Sequence, residues 1–310
     1  MKRTTRTTAA VAGTTALVAA LIAGHVLPAH AVTTTHEAIT YSSDRDGDTE
    51  VYRQDADGTL RNLTTNTTSD HGAVWSPDGT RIAYASRRGG DDEIVVMDAD
   101  GRNKRQLTAN HVQDNAPAWS PDGTRLAFAS DRDGGETEIY VMGADGRDVQ
   151  RVTRTERYVT DHTPTWTPDG QIVFATDRHG YENTELYRVR PDGTGLTRLT
   201  TTGDGSDENA PDVSPDGRLI AFSSNRGGTH DLYVMGIDGK GVRKVGGDAA
   251  LDDVFPKFTG DGQRLVFSTF ASVEAGLSED VWVVGVDGSD RRRLTTSAAD
   301  ESGADGNPRG

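Results

Sequence analysis

The sequence predicts an all-β fold, a six-bladed β-propeller of four-stranded antiparallel blades closed by both termini in one blade. Three observations predict it. A turn motif recurs at a nearly constant interval, each interval holds four strand-like segments, and helical periodicity is missing from residue 32 onward. The turn motif is Ser76-Pro77-Asp78-Gly79, repeated as Ser120-Pro121-Asp122-Gly123, Thr167-Pro168-Asp169-Gly170, Ser214-Pro215-Asp216-Gly217 and, loosely, Thr259-Gly260-Asp261-Gly262, at spacings of 44, 47, 47 and 45 residues. Proline presets φ for the turn and the final glycine accepts a positive φ, so each copy reads as a β-hairpin.

A strand with a central aromatic follows each turn: Tyr84, Phe128, Phe174, Phe222 and Phe267, with Ile39-Thr40-Tyr41 as an earlier copy. An alternating strand comes next, as in Ile139-Tyr140-Val141 or Leu186-Tyr187-Arg188. Asp-Gly turns follow at Asp57, Asp100, Asp145, Asp192, Asp238 and Asp287, and a short strand ends each unit near Leu63-Thr64, Leu107-Thr108, Val152-Thr153, Leu199-Thr200, Val245 or Leu294-Thr295. Four-stranded units of this length are propeller blades.

The ends of the chain set the phase. Aligning Ile39 with Ile82 puts Val32 at the register of Trp75. Reading Asp305-Gly306-Asn307-Pro308 as a repeat of Asp114-Asn115-Ala116-Pro117 puts Gly310 one residue before that register. Residues 32–310 then make six units, and the termini meet in one blade.

Residues 1–31 read as a secretory signal peptide. Lys2, Arg3 and Arg6 precede an apolar run from about Ala9 to Leu27, and Ala29-His30-Ala31 gives a small-x-small cleavage pattern. The expected mature chain begins at Val32 and is secreted, extracellular or in the cell envelope, without membrane insertion. The full chain is 34% hydrophobic, with 36 glycines, 11 prolines and no cysteine. That composition suits short strands and tight turns, and excludes disulfides and thiolate chemistry. Its formal charge of −15 becomes −18 once three basic residues leave with the signal. Such a protein repels nucleic acid and anionic lipid and attracts cations and basic partners.

The unit running from Trp119 to Gly146 resembles the WD40-like (PD40) repeat of the TolB-type β-propeller family, while lacking the Gly-His and Trp-Asp dipeptides of true WD40 blades. The resemblance covers residues 32–310 and concerns the propeller domain only. It implies a protein-binding module and a monomer. Some serine peptidases carry a similar propeller, but no G-x-S-x-G elbow occurs here.

Candidate sites follow from strand order. One face carries the Ser-Pro-Asp-Gly and Asp-Gly hairpins. The other carries the loops entering each blade and the loops Ser43-Asp44-Arg45, Ser130-Asp131-Arg132, Thr176-Asp177-Arg178 and Ser224-Asn225-Arg226, with Ser86-Arg87-Arg88 as a variant and Ser268-Thr269-Phe270 as a departure. These read as either a binding rim or a repeated Asp–Arg pairing. Five residues before the tryptophan register stand Asp70, Asp114, Asp161, Glu208, Asp253 and Asp305, a carboxylate for each blade, expected to ring one channel mouth. The ring either caps local backbone or binds a cation, Ca2+ or Mn2+, or the basic side chains of a partner peptide. The following position holds His71, Asn115, His162 and Asn209, candidate partner contacts together with Tyr158 and Phe270 from the two irregular loops. No H-E-x-x-H motif and no phosphate-cradling glycine motif occurs. Two functions stand at this stage. The favoured one is non-catalytic binding of a protein or peptide through one face and channel mouth. The other is a metal-dependent lactonase- or lyase-type enzyme working in the channel.

Overall fold

The computed structural model describes residues 37–180, 183–203, 205–246, 251–271 and 279–309. The signal-peptide reading, the cleavage point before Val32 and most of the Phe270–Asp280 loop lie outside these residues. The described chain forms 24 strands, no helix, and six four-stranded antiparallel sheets.

The third blade shows the plan. β8 (Asp114–Trp119) is innermost and pairs with β9 (Arg125–Ser130), which pairs with β10 (Glu138–Gly143) and then the short β11 (Gln150–Arg151). The innermost strands of the other blades are β4 (Asp70–Trp75), β12 (Asp161–Trp166), β16 (Glu208–Val213), β20 (Leu251–Phe258) and β24 (Glu301–Gly306). The blade headed by β24 is built from both ends of the chain. β24 pairs with β1 (Ile39–Ser43), followed by β2 (Glu50–Gln54) and β3 (Leu60–Asn62).

Apolar residues run without a break along the middle strands, as in Leu126-Ala127-Phe128-Ala129, so each blade has two apolar faces, and the core lies between blades. One cluster joins Val51 and Leu63 to Trp75, Ile82, Tyr84 and Met97 of the next blade. The cluster closing the ring joins Ile39, Tyr41 and Tyr52 to Val266, Val281 and Val283 of the last blade. Hydrogen bonds reinforce the packing, since Trp119 Nε1 donates to the Val74 carbonyl at 3.2 Å and Trp166 Nε1 to that of Ala118 at 3.1 Å. Five of the six Asp-Gly turns, all but that of Gly58, abut the preceding blade. Gly146 has φ of 78°, and a Cβ there would stand 2.9 Å from the Leu107 carbonyl oxygen. Both backbone conformation and blade spacing therefore require glycine.

The phase differs from the sequence expectation. Gly306 pairs with Ile39 as Trp75 pairs with Ile82, so Gly306 holds the tryptophan register. Asn307-Pro308-Arg309 then occupy the place of Ser76-Pro77-Asp78, and the Asn307 amide donates to the Ala38 carbonyl at 2.8 Å. The misreading has a simple cause: β24 contains neither the proline nor the tryptophan that marks most innermost strands.

Deleting residues 301–309 should expose the β1 edge and open the cluster around Tyr41. Thermal unfolding followed by circular dichroism should show Tm lowered by about 10 °C or more. An unchanged Tm would refute closure through β24.

Candidate functional site

The carboxylates heading the innermost strands are fully buried. Asp70, Asp114, Asp161, Glu208 and Asp253 have no exposed surface, and the sixth member is Glu301, also without exposed surface. Glu301 faces Ser43 across the ladder as Asp114 faces Ser130, whereas Asp305 lies four residues further along β24. The expected assignment of Asp305 to this ring is therefore corrected to Glu301.

These side chains turn into the blades, away from the channel, and most meet a guanidinium. Arg132 Nη2 lies 2.8 Å from Asp114, Arg178 Nη2 lies 3.0 Å from both oxygens of Asp161, and Arg226 Nη2 lies 3.0 Å from Glu208; Arg45 pairs with Glu301. Each of these arginines also stacks over two blade aromatics, as Arg132 does at 4.8 Å from Phe128 and 4.9 Å from Tyr140. Its Nε donates to the preceding Ser or Thr hydroxyl, at 2.9 Å for Arg132 and Ser130. The middle residue of the tripeptide ties down the loop entering the blade. Asp131 accepts from the Gln113 amide at 2.9 Å, Asp177 from Thr160 at 2.7 Å and Asn225 from Asp207 at 2.8 Å. The repeated tripeptide is thus a clamp between two parts of a blade. Its arginine pairs with the innermost strand, not with its neighbouring aspartate.

In the blade of β20, where the tripeptide departs, Arg291 arrives from the far turn of the sheet. It binds Asp253 through two bonds of 2.5 and 2.9 Å and stacks over Phe267 and Trp282. In the blade of β4, Asp70 accepts from Asn66 Nδ2 at 2.5 Å. Burial raises the pKa of Asp161 and of Glu208, with Arg178 and Arg226 opposing it. Among the described residues no three His, Asp or Glu side chains converge on a point that could hold a metal ion.

Sequence reasoning missed a second carboxylate set. Glu50, Glu93, Glu138, Glu185, Asp231 and Asp280 head the third strand of each blade and are all buried. Glu50, Glu93, Glu138 and Glu185 accept backbone amides from the loop leading to the next blade, as Glu138 does from Thr155 at 2.7 Å. The recurrent Thr after the outer strand belongs to the same device. Thr64, Thr108, Thr153, Thr200 and Thr295 each accept a strand amide at 2.9–3.0 Å. The Glu before each aromatic strand core and the repeated Leu-Thr pair were the available signal.

What lines the channel is the backbone just after the carboxylates. Every innermost strand bulges there, for example between Asn115 and Ala118, and the third ring position is left-handed in all six blades: Gly72, Ala116, Thr163, Ala210, Phe255 and Gly303, with φ from 47° to 64°. Four are non-glycine residues standing before Pro117, Pro164, Pro211 and Pro256. Proline suits the unmatched bulge position because it has no N–H to leave unpaired. Non-glycine residues held left-handed carry strain of about 1–3 kcal/mol each.

These residues surround a cavity of about 370 Å3 at the channel mouth. His71 and Asn115 line it, while His162 and Asn209 do not; their neighbours Thr163 and Ala210 take that place. His71 Nε2 lies 3.5 Å from Asp92. Burial lowers the His162 pKa against the pull of Asp177 and Asp207. Tyr158 is 76% exposed in its loop. Phe270 packs edge-on against Phe255, 6.3 Å between centroids, and Phe255 itself lines the cavity while 42% exposed.

Arg291→Ala should destabilise the fold by about 3 kcal/mol, because the buried Asp253 loses its two-bond partner. Denaturant unfolding measures it, and a change below about 1 kcal/mol would show that this clamp is dispensable.

Residues 109–208 match the family model of the TolB beta propeller domain. No curated protein sequence matches the chain significantly. Among solved structures, TolB from Acinetobacter baumannii superposes with a TM-score of 0.75 at 23% identity, covering 88% of this chain and 67% of that one. A putative TolB from Agrobacterium tumefaciens gives 0.68 at 22% identity, over 86% of this chain and 91% of that one. An oligogalacturonate lyase in complex with manganese gives 0.59 at 15% identity, over 85% and 75%. The structural likenesses establish the fold alone, a six-bladed β-propeller, and residues 109–208 carry the similarity to the TolB beta propeller domain.

Proposed function

We propose that this chain is exported and acts as a non-catalytic binding module, taking a protein or peptide partner at the face that carries the apolar channel mouth. The observation that carries this reading is the mouth itself. All six blades contribute to it, its wall is mainly apolar, and Phe255 stands exposed at its edge in a left-handed conformation. An aromatic held rigidly beside a concave apolar surface is the feature on which interface energies concentrate. Tyr158 adds a second exposed aromatic, presented by one of the irregular loops. The net charge of −15 favours a basic partner.

Export rests on the basic n-region, apolar run and Ala29-His30-Ala31 site; among the described residues no helix is long and apolar enough to cross a membrane. The enzyme alternative needs three or four ligands converging on one ion. The likeness to a manganese-bound lyase makes that ion the discriminating probe.

The test is a pull-down from envelope and secreted fractions with wild type and Phe255→Gly. Glycine relieves the left-handed strain, so this variant should match or exceed the wild-type Tm. Partner affinity should nevertheless fall about tenfold or more. Equal capture by both proteins would sink the mouth as the docking site. A Tm rise with Mn2+ and no protein partner would favour the enzyme.

A further inference from the structure

Beyond the bulge the channel narrows to a second layer of side chains: Val74, Ala118, Thr165, Asp212, Lys257 and Asp305, which line a cavity of about 190 Å3 toward the opposite face. Three blades place neutral side chains at this level and three successive blades place Asp, Lys and Asp. Lys257 Nζ lies 3.2 Å from Asp212 Oδ1, and the other Asp212 oxygen accepts the Phe258 amide at 2.8 Å. Asp305 accepts the Trp75 amide at 2.7 Å, and among the described residues no cation lies within ion-pair distance of it. The charges that bear on Asp305 are Lys257 from β20 and Asp212 from β16, so the trio carries one negative charge in excess when Asp305 is ionised. Burial pushes Asp305 up to about 7, with Lys257 opposing and Asp212 adding to the rise.

The same wall lacks an acceptor. Trp75 lines this cavity and is 5% exposed, and its Nε1–H is unpaired. Its counterparts in the next two blades, Trp119 and Trp166, both donate to a neighbouring carbonyl. A half-buried carboxylate with no cation at ion-pair distance among the described residues and a buried donor without an acceptor, both on the wall of one cavity, are complementary to one kind of occupant.

We propose that this second cavity binds a small primary ammonium compound with a hydrogen-bond acceptor on the adjacent carbon, the chemistry shared by a free amino acid and the N-terminus of a peptide. The ammonium pairs with Asp305 and the acceptor takes Lys257. This cavity shares Val74 and Lys257 with the apolar mouth, and the small-molecule test reads it apart from the partner proposed there.

Calorimetry on the full chain tests it with three probes: glycinamide, which carries both groups, ethylammonium, which carries the charge alone, and acetamide, which carries the acceptor alone. Glycinamide should bind most tightly, ethylammonium about tenfold more weakly, and acetamide not at all. Because the pair needs ionised Asp305 and a protonated amine, glycinamide affinity should rise with pH up to about 7, fall again above about 8 as the ligand's own ammonium loses its proton, and release a proton on binding below 7. Asp305→Asn should lose at least tenfold in affinity together with the rise below pH 7. Lys257→Met should bind ethylammonium more tightly and lose the preference for glycinamide. Glycine against glycylglycine then distinguishes a free amino acid from a peptide N-terminus. Absence of glycinamide binding at millimolar concentration, equal binding of acetamide, or a pH-independent wild-type affinity would overturn the proposal. The last of these decides it even if Asp305→Asn fails to fold.

Discussion

Each blade hangs on a carboxylate placed where water cannot reach it. Removing a charge from water is costly by several kcal/mol, and the fold recovers that only if a cation and further hydrogen bonds meet it with good geometry. The guanidinium does so here while lying flat on two aromatic rings, which it could not do as an ammonium. One arginine thereby ties the innermost strand, the two middle strands and the hydroxyl at the head of the loop into one unit. The aromatic positions, the hydroxyl residue and the small loop acid all follow from that one requirement.

This requirement explains why the fold was legible and part of the site was not. Turn chemistry at a fixed interval reports strands directly, since Pro-Asp-Gly and Asp-Gly dictate backbone angles whatever the tertiary surroundings. The direction of a side chain at the head of a strand is not so dictated. The carboxylates could face the channel or the blade on sequence grounds. Only the bulge that follows them, invisible without its ladder partner, turns the channel surface over to Gly72, Ala116, Thr163 and their equivalents. The prolines at Pro117, Pro164, Pro211 and Pro256 were its trace in the sequence.

The Asp305 assignment failed for a related reason. Repeat alignment weighs letters equally, while the structure weighs the residues that must be buried. Glu301 satisfies the burial and pairing rule, and Asp305 satisfies only a resemblance to Asp-Asn-Ala-Pro. Correcting it moves Asp305 from a structural ring into the channel, beside Lys257 and Asp212. The two channel mouths then differ in kind: one apolar and strained, the other charged and narrow.

Arg291 shows what a ring of near-identical units permits. The guanidinium over Phe267 and Trp282 is delivered from the opposite end of the sheet, yet it arrives at the position the other arginines hold. The destination is constrained and the route is not. A blade supplied in this way no longer needs Ser268-Thr269-Phe270 to provide the arginine, so that tripeptide is free to change its third residue without loosening the clamp. Redundancy of this sort lets a rigid scaffold carry one variable segment, which is a natural place for new specificity to arise.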